Sequence, residues 1–156
     1  MQTAIFAAGC FWGVEEIFRK QKGVIKTEVG YTGGHTEKPT YEDVCNKNTG
    51  HAEAVKVEFN PEEVSFETLV RLFWKSHNPT TANQQGPDIG TQYRSAIFYI
   101  SDSERDIAMK IKKELEENKT FSKPIVTEIV PASTFYRAEE YHQQYFMKRG
   151  GGVCHF

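Results

Sequence analysis

The sequence has few of the features that mark secreted, membrane-bound or nucleic-acid-binding proteins. It contains three cysteines among 156 residues, and they form neither an even disulfide framework nor a C-x-x-C pair. The formal net charge is only -2, and both signs are spread along the chain, which argues against a nucleic-acid or membrane surface. The apolar run near the N-terminus is too short to span a bilayer, and the first basic residue is Arg19. We therefore expect a single domain over residues 1–156 that works in the cytoplasm.

Hydrophobic periodicity predicts an α+β fold. Its elements would be arranged as a two-layer plait with a ferredoxin-like split βαβ core, helices on one face of a largely antiparallel sheet, and an additional C-terminal helix, strand and coil tail. The polar segment 77–91 is expected to be a long functional loop. Strands are predicted at 3–8, 24–31, 52–60, 93–100 and 125–130, and helices at 12–21, around Phe66–Phe73, from a Ser101–Glu104 capping box through Leu115, and at 137–148.

The first predicted helix is amphipathic. Val14, Ile17 and Phe18 recur at helical spacing and are expected to face the core. Glu15 and Glu16 fall on the other side and are expected to face solvent. An apolar strand precedes this helix, so the turn between them should expose the unpaired N–H groups of a helix N-terminus.

Cys10 lies in that turn, between Gly9 and Gly13. Helix N-terminal N–H groups favour a thiolate, and the glycines permit a tight turn and close approach of another molecule. Cys10 is therefore a candidate nucleophile. The alternative is that it packs in the core as a small hydrophobic residue, as cysteines often do.

A second cysteine, Cys154, follows three consecutive glycines, Gly150–Gly152, in a tail predicted to be mobile from about 149 to 156. A mobile thiol could reach Cys10 and convert a sulfenic acid there to a disulfide. A static structural bridge between the two would add about 5 kcal/mol of stability, which a chain of this length does not need. A frayed end without a function is the remaining alternative.

Strand alternation places His51 and Glu53 on the same face as Val55 and Val57. A carboxyl group among apolar neighbours tends to have a raised pKa and can act as an acid, whereas an exposed one is simply solvated. His51 could pair with Cys10 as in cysteine hydrolases, or hydrogen-bond locally.

Three other polar residues are less distinctive. Cys45 follows Val44 in a short helical turn that we expect to face the core, which gives Cys45 a structural role. Asp88 and Tyr93 belong to a polar cluster just before an apolar strand. Turn chemistry and core packing would explain both of them without any catalytic function.

Three motifs, taken together, resemble the peptide methionine sulfoxide reductase A family over essentially the whole chain. They are Gly9-Cys10-Phe11-Trp12-Gly13, Gly50-His51-Ala52-Glu53 and Gly90-Thr91-Gln92-Tyr93-Arg94-Ser95. The resemblance implies that Cys10 attacks the sulfoxide sulfur and that Glu53 donates a proton to the sulfoxide oxygen. It also implies that Phe11 and Trp12 form the apolar wall that receives the S-methyl group of the substrate.

The same resemblance assigns the remaining candidates. Tyr41 and Tyr93 correspond to hydroxyls that hold the sulfoxide oxygen, and Asp88 corresponds to an active-site aspartate. Some members of the family carry two cysteines in the tail, whereas this chain has only Cys154 there, so it resembles the shorter relay type with one resolving step.

The resemblance further implies a two-layer plait, preference for the S epimer of methionine sulfoxide in proteins or as the free amino acid, and no metal or organic cofactor. Thioredoxin is implied as the recycling partner, and we expect a monomer. The alternative is a cysteine hydrolase or acyltransferase that uses Cys10 with His51 or His142. A thiol or metal-binding module is disfavoured because the sequence lacks paired Cys/His ligand spacing.

Overall fold

The computed structural model describes residues 1–46, 48–86 and 88–148. Its strands are β1 (Gln2–Ala8), β2 (Val24–Thr32), β3 (Ala52–Phe59), β4 (Gln84–Gln85), β5 (Asp88–Ile89), β6 (Ser95–Tyr99), β7 (Glu128–Pro131) and β8 (Tyr136–Arg137). Its α-helices are α1 (Phe11–Arg19), α2 (Tyr41–Asn46), α3 (Phe66–Lys75), α4 (Asp102–Glu117) and α5 (Tyr145–Lys148), and 3-10 turns cover Thr91–Tyr93 and Glu140–His142.

Six strands form one sheet in the order β7-β6-β1-β3-β2-β8. Only the outer pair β6 and β7 is parallel among the described strands; the other pairs are antiparallel. The chain is therefore a mixed α/β protein with a mostly antiparallel sheet, and β1 lies at its centre between β3 and β6. The short strands β4 and β5 form a separate hairpin.

Alternation along β1 divides the core into two layers. Ala4, Phe6 and Ala8 face a cluster that includes residues of α1, α3 and α4. Ile5 and Ala7 face the opposite side of the sheet, where residues of β7 and the segment after it cover them. The Phe6 ring stacks on Phe18 of α1 and Phe73 of α3, with ring centroids 4.9 and 5.4 Å apart, so one strand residue joins two helices to the sheet.

Most of the predicted elements are confirmed, with small shifts at their ends. The capping interaction at the start of α4 is present: Ser101 Oγ accepts the N–H of Glu104 at 3.2 Å. The Glu104 carboxylate in turn accepts the N–H of Ile100 at 3.0 Å. The fifth predicted strand begins at Glu128 rather than at residue 125, and the predicted loop 77–91 contains the β4–β5 hairpin.

The predicted helix at 137–148 is wrong. Residues 136 and 137 form β8 instead, and only Tyr145–Lys148 is α-helical after a 3-10 turn. Gln144 has a φ of +47°, which interrupts any helix through this segment. Tyr145 instead stacks on Trp12 of α1, and the main-chain N–H of Ala138 donates to the carbonyl oxygen of Val29 in β2.

The predicted exposure of Glu15 and Glu16 is also wrong, since both are buried at 1% and 2% exposure. Glu15 accepts hydrogen bonds from the Thr27 hydroxyl at 2.8 Å and from the Gln144 N–H at 2.7 Å. Glu16 accepts from the Arg19 guanidinium in the next turn of the helix. Buried carboxylates need such partners, and sequence periodicity does not reveal partners that are distant in the chain.

No helix among the described residues is long and apolar enough to cross a membrane.

The stacking around Phe6 predicts a large stability loss on truncation. We expect Phe6→Ala to lower the free energy of unfolding by about 3 to 5 kcal/mol, because it leaves a cavity against two helices. Urea denaturation followed by circular dichroism would measure the change. Met109→Ala, at a 51% exposed position on α4, is the control and should change stability by about 0.5 kcal/mol or less. A loss below about 1 kcal/mol for Phe6→Ala would contradict the expected packing role.

Candidate active site

Cys10 lies where β1 turns into α1. Gly9 has a φ of +99°, a conformation that other residues rarely adopt, and this lets the strand turn sharply. Cys10 then takes the N-cap position of α1 with a φ of −56°, and its side chain is half-buried. The predicted placement of this thiol at a helix N-terminus is confirmed, and the N–H groups of the first turn point toward its side of the helix.

Glu53 lies on the core face of β3 and is only 1% exposed. One carboxyl oxygen accepts the main-chain N–H of Phe11 at 3.2 Å, and the other finds no hydrogen-bond partner among the described residues. Burial raises the pKa of Glu53 to about 8, with a further contribution from the charge of Asp88, while the bond from Phe11 opposes the rise. Glu53 is therefore protonated at neutral pH, directly beside the residue that follows Cys10.

Two tyrosines and Asp88 complete this cluster. Burial raises the pKa of Tyr93, and the charges of Glu53, Asp88 and Cys10 raise it further. Burial is also the main cause that raises the pKa of Tyr41 at the start of α2, and the charge of Glu53 raises it further. Both hydroxyls consequently stay protonated and can donate hydrogen bonds. The structure thus places Glu53 within electrostatic reach of Tyr41, Asp88 and Tyr93, and Tyr93 within electrostatic reach of Cys10.

Phe11 and Trp12 occupy different environments. Phe11 is buried, and its ring lies 5.7 Å from the ring of Tyr31 and 6.5 Å from that of Tyr41. Trp12 is half-buried and stacks face to face on Tyr145, with ring centroids 3.8 Å apart and planes 6° apart. Trp12 is therefore the more accessible of the two rings, and Phe11 belongs to the hydrophobic core.

His51 has no nitrogen left for Cys10. The N–H of Gly34 donates to its Nδ1 at 3.1 Å, and Nε2 lies 2.7 Å from the carbonyl oxygen of Thr36. These bonds fix the loop beside β3, so His51 is a structural residue. A cysteine hydrolase could therefore not use His51 as its base. The Nδ1 atom of His142 is also occupied, because it accepts the indole N–H of Trp12.

Cys45 differs from the prediction. Val44 is buried in the core as expected, but Cys45 is half-buried. Its thiol interacts with Tyr41 and lies within the field of Glu53, and burial raises its pKa. Cys45 therefore borders the active-site cluster. Cys154 and the tail 149–156 lie outside the described residues.

The described part of the chain contains no group of three or more His, Cys, Asp or Glu side chains that could hold a metal ion.

The relatives of this chain identify its family. A family model described as peptide methionine sulfoxide reductase matches residues 2–156. The chain belongs to this family. It is 61% identical over 150 residues to the peptide methionine sulfoxide reductase MsrA of Methanosarcina mazei, covering 96% of this chain and 71% of that protein. It is 54% identical to the MsrA of Acidobacterium capsulatum over 155 residues, covering 99% of each.

Solved structures of reductases agree with the fold. The reduced form of Mxr1 from Saccharomyces cerevisiae superposes with a TM-score of 0.92 at 38% identity, covering 99% of this chain and 91% of that one. Methionine sulfoxide reductase A of Corynebacterium diphtheriae gives 0.85 at 38% identity, with 98% and 77% covered. Mxr1 in complex with Trx2 gives 0.66 at 27% identity, with 99% and 88% covered. The family resemblance and the enzyme class predicted from the sequence are confirmed.

The contacts of several residues beside this site were not predicted from the sequence. Glu139 accepts the Tyr31 hydroxyl and the Tyr41 N–H with its two carboxyl oxygens, both at 3.0 Å. His142 and Tyr145 hold Trp12. Their only sequence signal is the density of aromatic and polar residues in 139–145, a pattern that predicts a helix.

The protonated state of Glu53 predicts a characteristic pH dependence of stability. The native state keeps this proton up to about pH 8, whereas the unfolded chain loses it near the ordinary carboxyl pKa. Between these values the native state binds one more proton, so this residue's contribution to stability falls as pH rises, by about 1.4 kcal/mol per pH unit. Glu53→Gln removes that slope.

We therefore expect the difference in unfolding free energy between Glu53→Gln and the wild type to shift in favour of the variant from about pH 5 to about pH 8. Urea denaturation across this range would measure it. Glu62→Gln, at an exposed position, is the matched control and should run parallel to the wild type. Parallel curves for Glu53→Gln as well would show that Glu53 is not protonated in the folded protein.

Proposed function

We propose that this protein reduces methionine sulfoxide with Cys10 as nucleophile and Glu53 as proton donor. The observation that carries the proposal is the hydrogen bond from Phe11 to a protonated, buried Glu53, because it places an acid beside the residue next to a helix-start thiol. A sulfoxide oxygen is a strong hydrogen-bond acceptor and a poor leaving group. Its reduction therefore needs a soft nucleophile at sulfur and donors at oxygen.

The reaction transfers the sulfoxide oxygen to Cys10. The Cys10 thiolate attacks the sulfoxide sulfur and forms a bond between the two sulfurs, while Glu53 donates its proton to the oxygen. The resulting hydroxyl group then moves to Sγ of Cys10 as the sulfur–sulfur bond and the original sulfur–oxygen bond break, which leaves a sulfenic acid on Cys10 and releases methionine. The substrate sulfur gains the two electrons that the Cys10 sulfur loses. A neutral Glu53 places no negative charge beside the thiolate, and the hydroxyls of Tyr41 and Tyr93 donate to the same oxygen.

Cys154 would then resolve the sulfenic acid. Its thiol condenses with Cys10 to a disulfide and releases water, and an external dithiol reduces the disulfide to restore both thiols. Thioredoxin is the expected dithiol, and the similarity to the structure of Mxr1 in complex with Trx2 supports this. The position of Cys154 after three glycines in the sequence supports its role.

The substrate would be the S epimer of methionine sulfoxide, in proteins or free, with its methyl group against Trp12 and Phe11. Asp88 would act through its charge on Glu53 and Tyr93.

The proposal needs no metal or organic cofactor, and one chain supplies all the described site residues, which supports a monomer. Dependence on reduced thiols supports a cytoplasmic location. The order β6-β1-β3-β2 within the sheet supports a ferredoxin-like plait for the core.

The acid role of Glu53 predicts a large effect on the reduction step. We expect Glu53→Gln to slow sulfoxide reduction by roughly 100-fold or more. In the wild type the rate should also fall above about pH 8, where Glu53 loses its proton, and this limb should be absent from the variant. Single-turnover release of methionine without added reductant measures this step alone.

Glu58→Gln is the control for this rate measurement, because it changes a carboxyl group on the opposite face of the same strand. It should leave the single-turnover rate unchanged. A near-normal rate in Glu53→Gln would remove Glu53 from the mechanism.

The relay predicts one specific disulfide. After one turnover without reductant, mass spectrometry should find Cys10 joined to Cys154 and Cys45 as a free thiol. Cys154→Ser should still release one equivalent of methionine and stop at a sulfenic acid that dimedone traps. A Cys10–Cys45 disulfide, or none, would contradict this relay.

A further inference from the structure

Four buried side chains form a hydrogen-bonded row between the start of β6 and the end of α3. Ser95 is the first residue of β6 and is buried. Its Oγ lies 2.7 Å from Nε2 of His77 and 2.7 Å from the hydroxyl of Thr127. The Thr127 hydroxyl in turn accepts the indole N–H of Trp74 at 2.9 Å. We call these four residues the Ser95 chain.

The acceptor at one end fixes the direction of every bond in the Ser95 chain. Nδ1 of His77 lies 2.8 Å from the carbonyl oxygen of Phe73. A carbonyl can only accept, so Nδ1 carries the hydrogen and Nε2 of the neutral ring is an acceptor. The Ser95 hydroxyl must then donate to Nε2 and accept from Thr127, whose own oxygen accepts from Trp74. No hydroxyl in this row can turn round alone without leaving a buried group unpaired.

Ser95 occupies the point where two parts of the candidate site meet. It follows Tyr93 by two residues, and the 3-10 turn that contains Tyr93 packs against β3, the strand of Glu53. Ser95 also pairs with Ala8 across β1 and β6, two residues before Cys10. A shift of Ser95 would therefore change the position of Tyr93 relative to Cys10.

Packing does not explain the Ser95 chain. Its surroundings are apolar: the His77 ring lies against Phe73, with ring centroids 4.6 Å apart, and Ile97, the next residue on the same face of β6, belongs to the hydrophobic core. Apolar side chains of the same shape can fill such positions at little or no cost in stability. What directional bonds add is one fixed position of the start of β6 relative to α3.

The elements that carry the ends of the chain are themselves fixed to the sheet. α3 is joined to β1 by the stack of Phe73 on Phe6, with ring centroids 5.4 Å apart. Thr127 directly precedes β7, which pairs with β6. Ser95 is thus held from α3 and from β7 at the same time.

We propose that the Ser95 chain positions Tyr93 so that its hydroxyl meets the sulfoxide oxygen, with Ser95 and His77 as positioning residues. The inference rests on the proposed function, in which Tyr93 donates to that oxygen. Neither Ser95 nor His77 touches the substrate; both act through the main chain that connects Ser95 to Tyr93. Loss of one bond in the chain releases the start of β6 and misaligns the Tyr93 hydroxyl.

The main test is a double-mutant cycle on the single-turnover rate at saturating methionine sulfoxide. Ser95→Ala removes the donor to His77, and Tyr93→Phe removes the hydroxyl that the chain positions. We expect Ser95→Ala alone to slow methionine release about tenfold, as a moderate misplacement does. In the Tyr93→Phe background its effect should be less than about twofold, because the positioned group is already absent. In Tyr41→Phe, the control background, the full effect of Ser95→Ala should remain.

A second pair of variants makes the test independent of Ser95. Thr127→Val nearly keeps the shape of threonine but removes the hydroxyl from the middle of the chain, whereas Thr127→Ser keeps that hydroxyl. Thr127→Val should slow the reaction about fivefold or more, and Thr127→Ser should stay within about twofold of the wild type. The amplitude of methionine release counts the active molecules, so partial unfolding does not alter the measured rate. If Ser95→Ala does not fold, Thr127→Val takes its place in the cycle.

The direction of the bonds has its own readout. Nitrogen-15 spectra of the His77 ring should show a protonated Nδ1 and an unprotonated Nε2, and a His77→Gln variant assigns these signals by their loss. The reverse tautomer would overturn the chain as described.

The outcomes separate this inference from the proposed function. An undiminished effect of Ser95→Ala in the Tyr93→Phe background, or a normal rate in Thr127→Val, overturns the positioning role while reduction by the wild type stands. A normal rate in Tyr93→Phe removes Tyr93 from the mechanism and overturns this inference. A wild type that releases no methionine overturns the proposed function and this inference with it.

Discussion

The hydrogen bond from the Phe11 N–H to the Glu53 carboxyl is the contact on which the site depends. It joins the first residue of α1 to the core face of β3, and so it fixes the helix start, and the thiol just before it, relative to the carboxyl group. Because Glu53 is almost fully buried, this position also keeps its proton on. The burial of the Glu53 side chain therefore determines both the position of the helix start and the protonation state of the carboxyl group.

Local sequence was enough to place two residues of this site, Cys10 and Glu53, whereas Tyr41, Asp88 and Tyr93 were assigned only through the family resemblance. Alternation in β3 correctly placed Glu53 among apolar residues, and the strand-to-helix pattern correctly placed Cys10 at an N-cap. The failures have a different origin. Glu15 is buried because Gln144, 129 residues away, donates to it, and a helical pattern in one segment does not contain that information.

The segment 139–145 is a second place where local periodicity predicted the wrong structure. Its aromatic spacing is compatible with a helix, yet three of its side chains bond to groups that are distant in the sequence. Glu139 holds the start of α2, His142 holds Trp12, and Gln143 bonds to β2. These bonds are possible only because the segment is not a regular helix, whose side chains would all project from one axis. Tertiary hydrogen bonding outweighs local periodicity here, since each buried polar group needs a partner.

The Gln143 amide also affects how this protein meets other molecules. β2 pairs with β8 at only two positions, Gly30 and Tyr31, which leaves β2 close to the edge of the sheet. An exposed edge offers unpaired main-chain groups to which a strand of another chain can add. At Val29 the side-chain amide takes the place of such a strand, bonding both the N–H and the carbonyl oxygen. The Gln143 amide thus leaves fewer main-chain groups of β2 available to a strand of another chain.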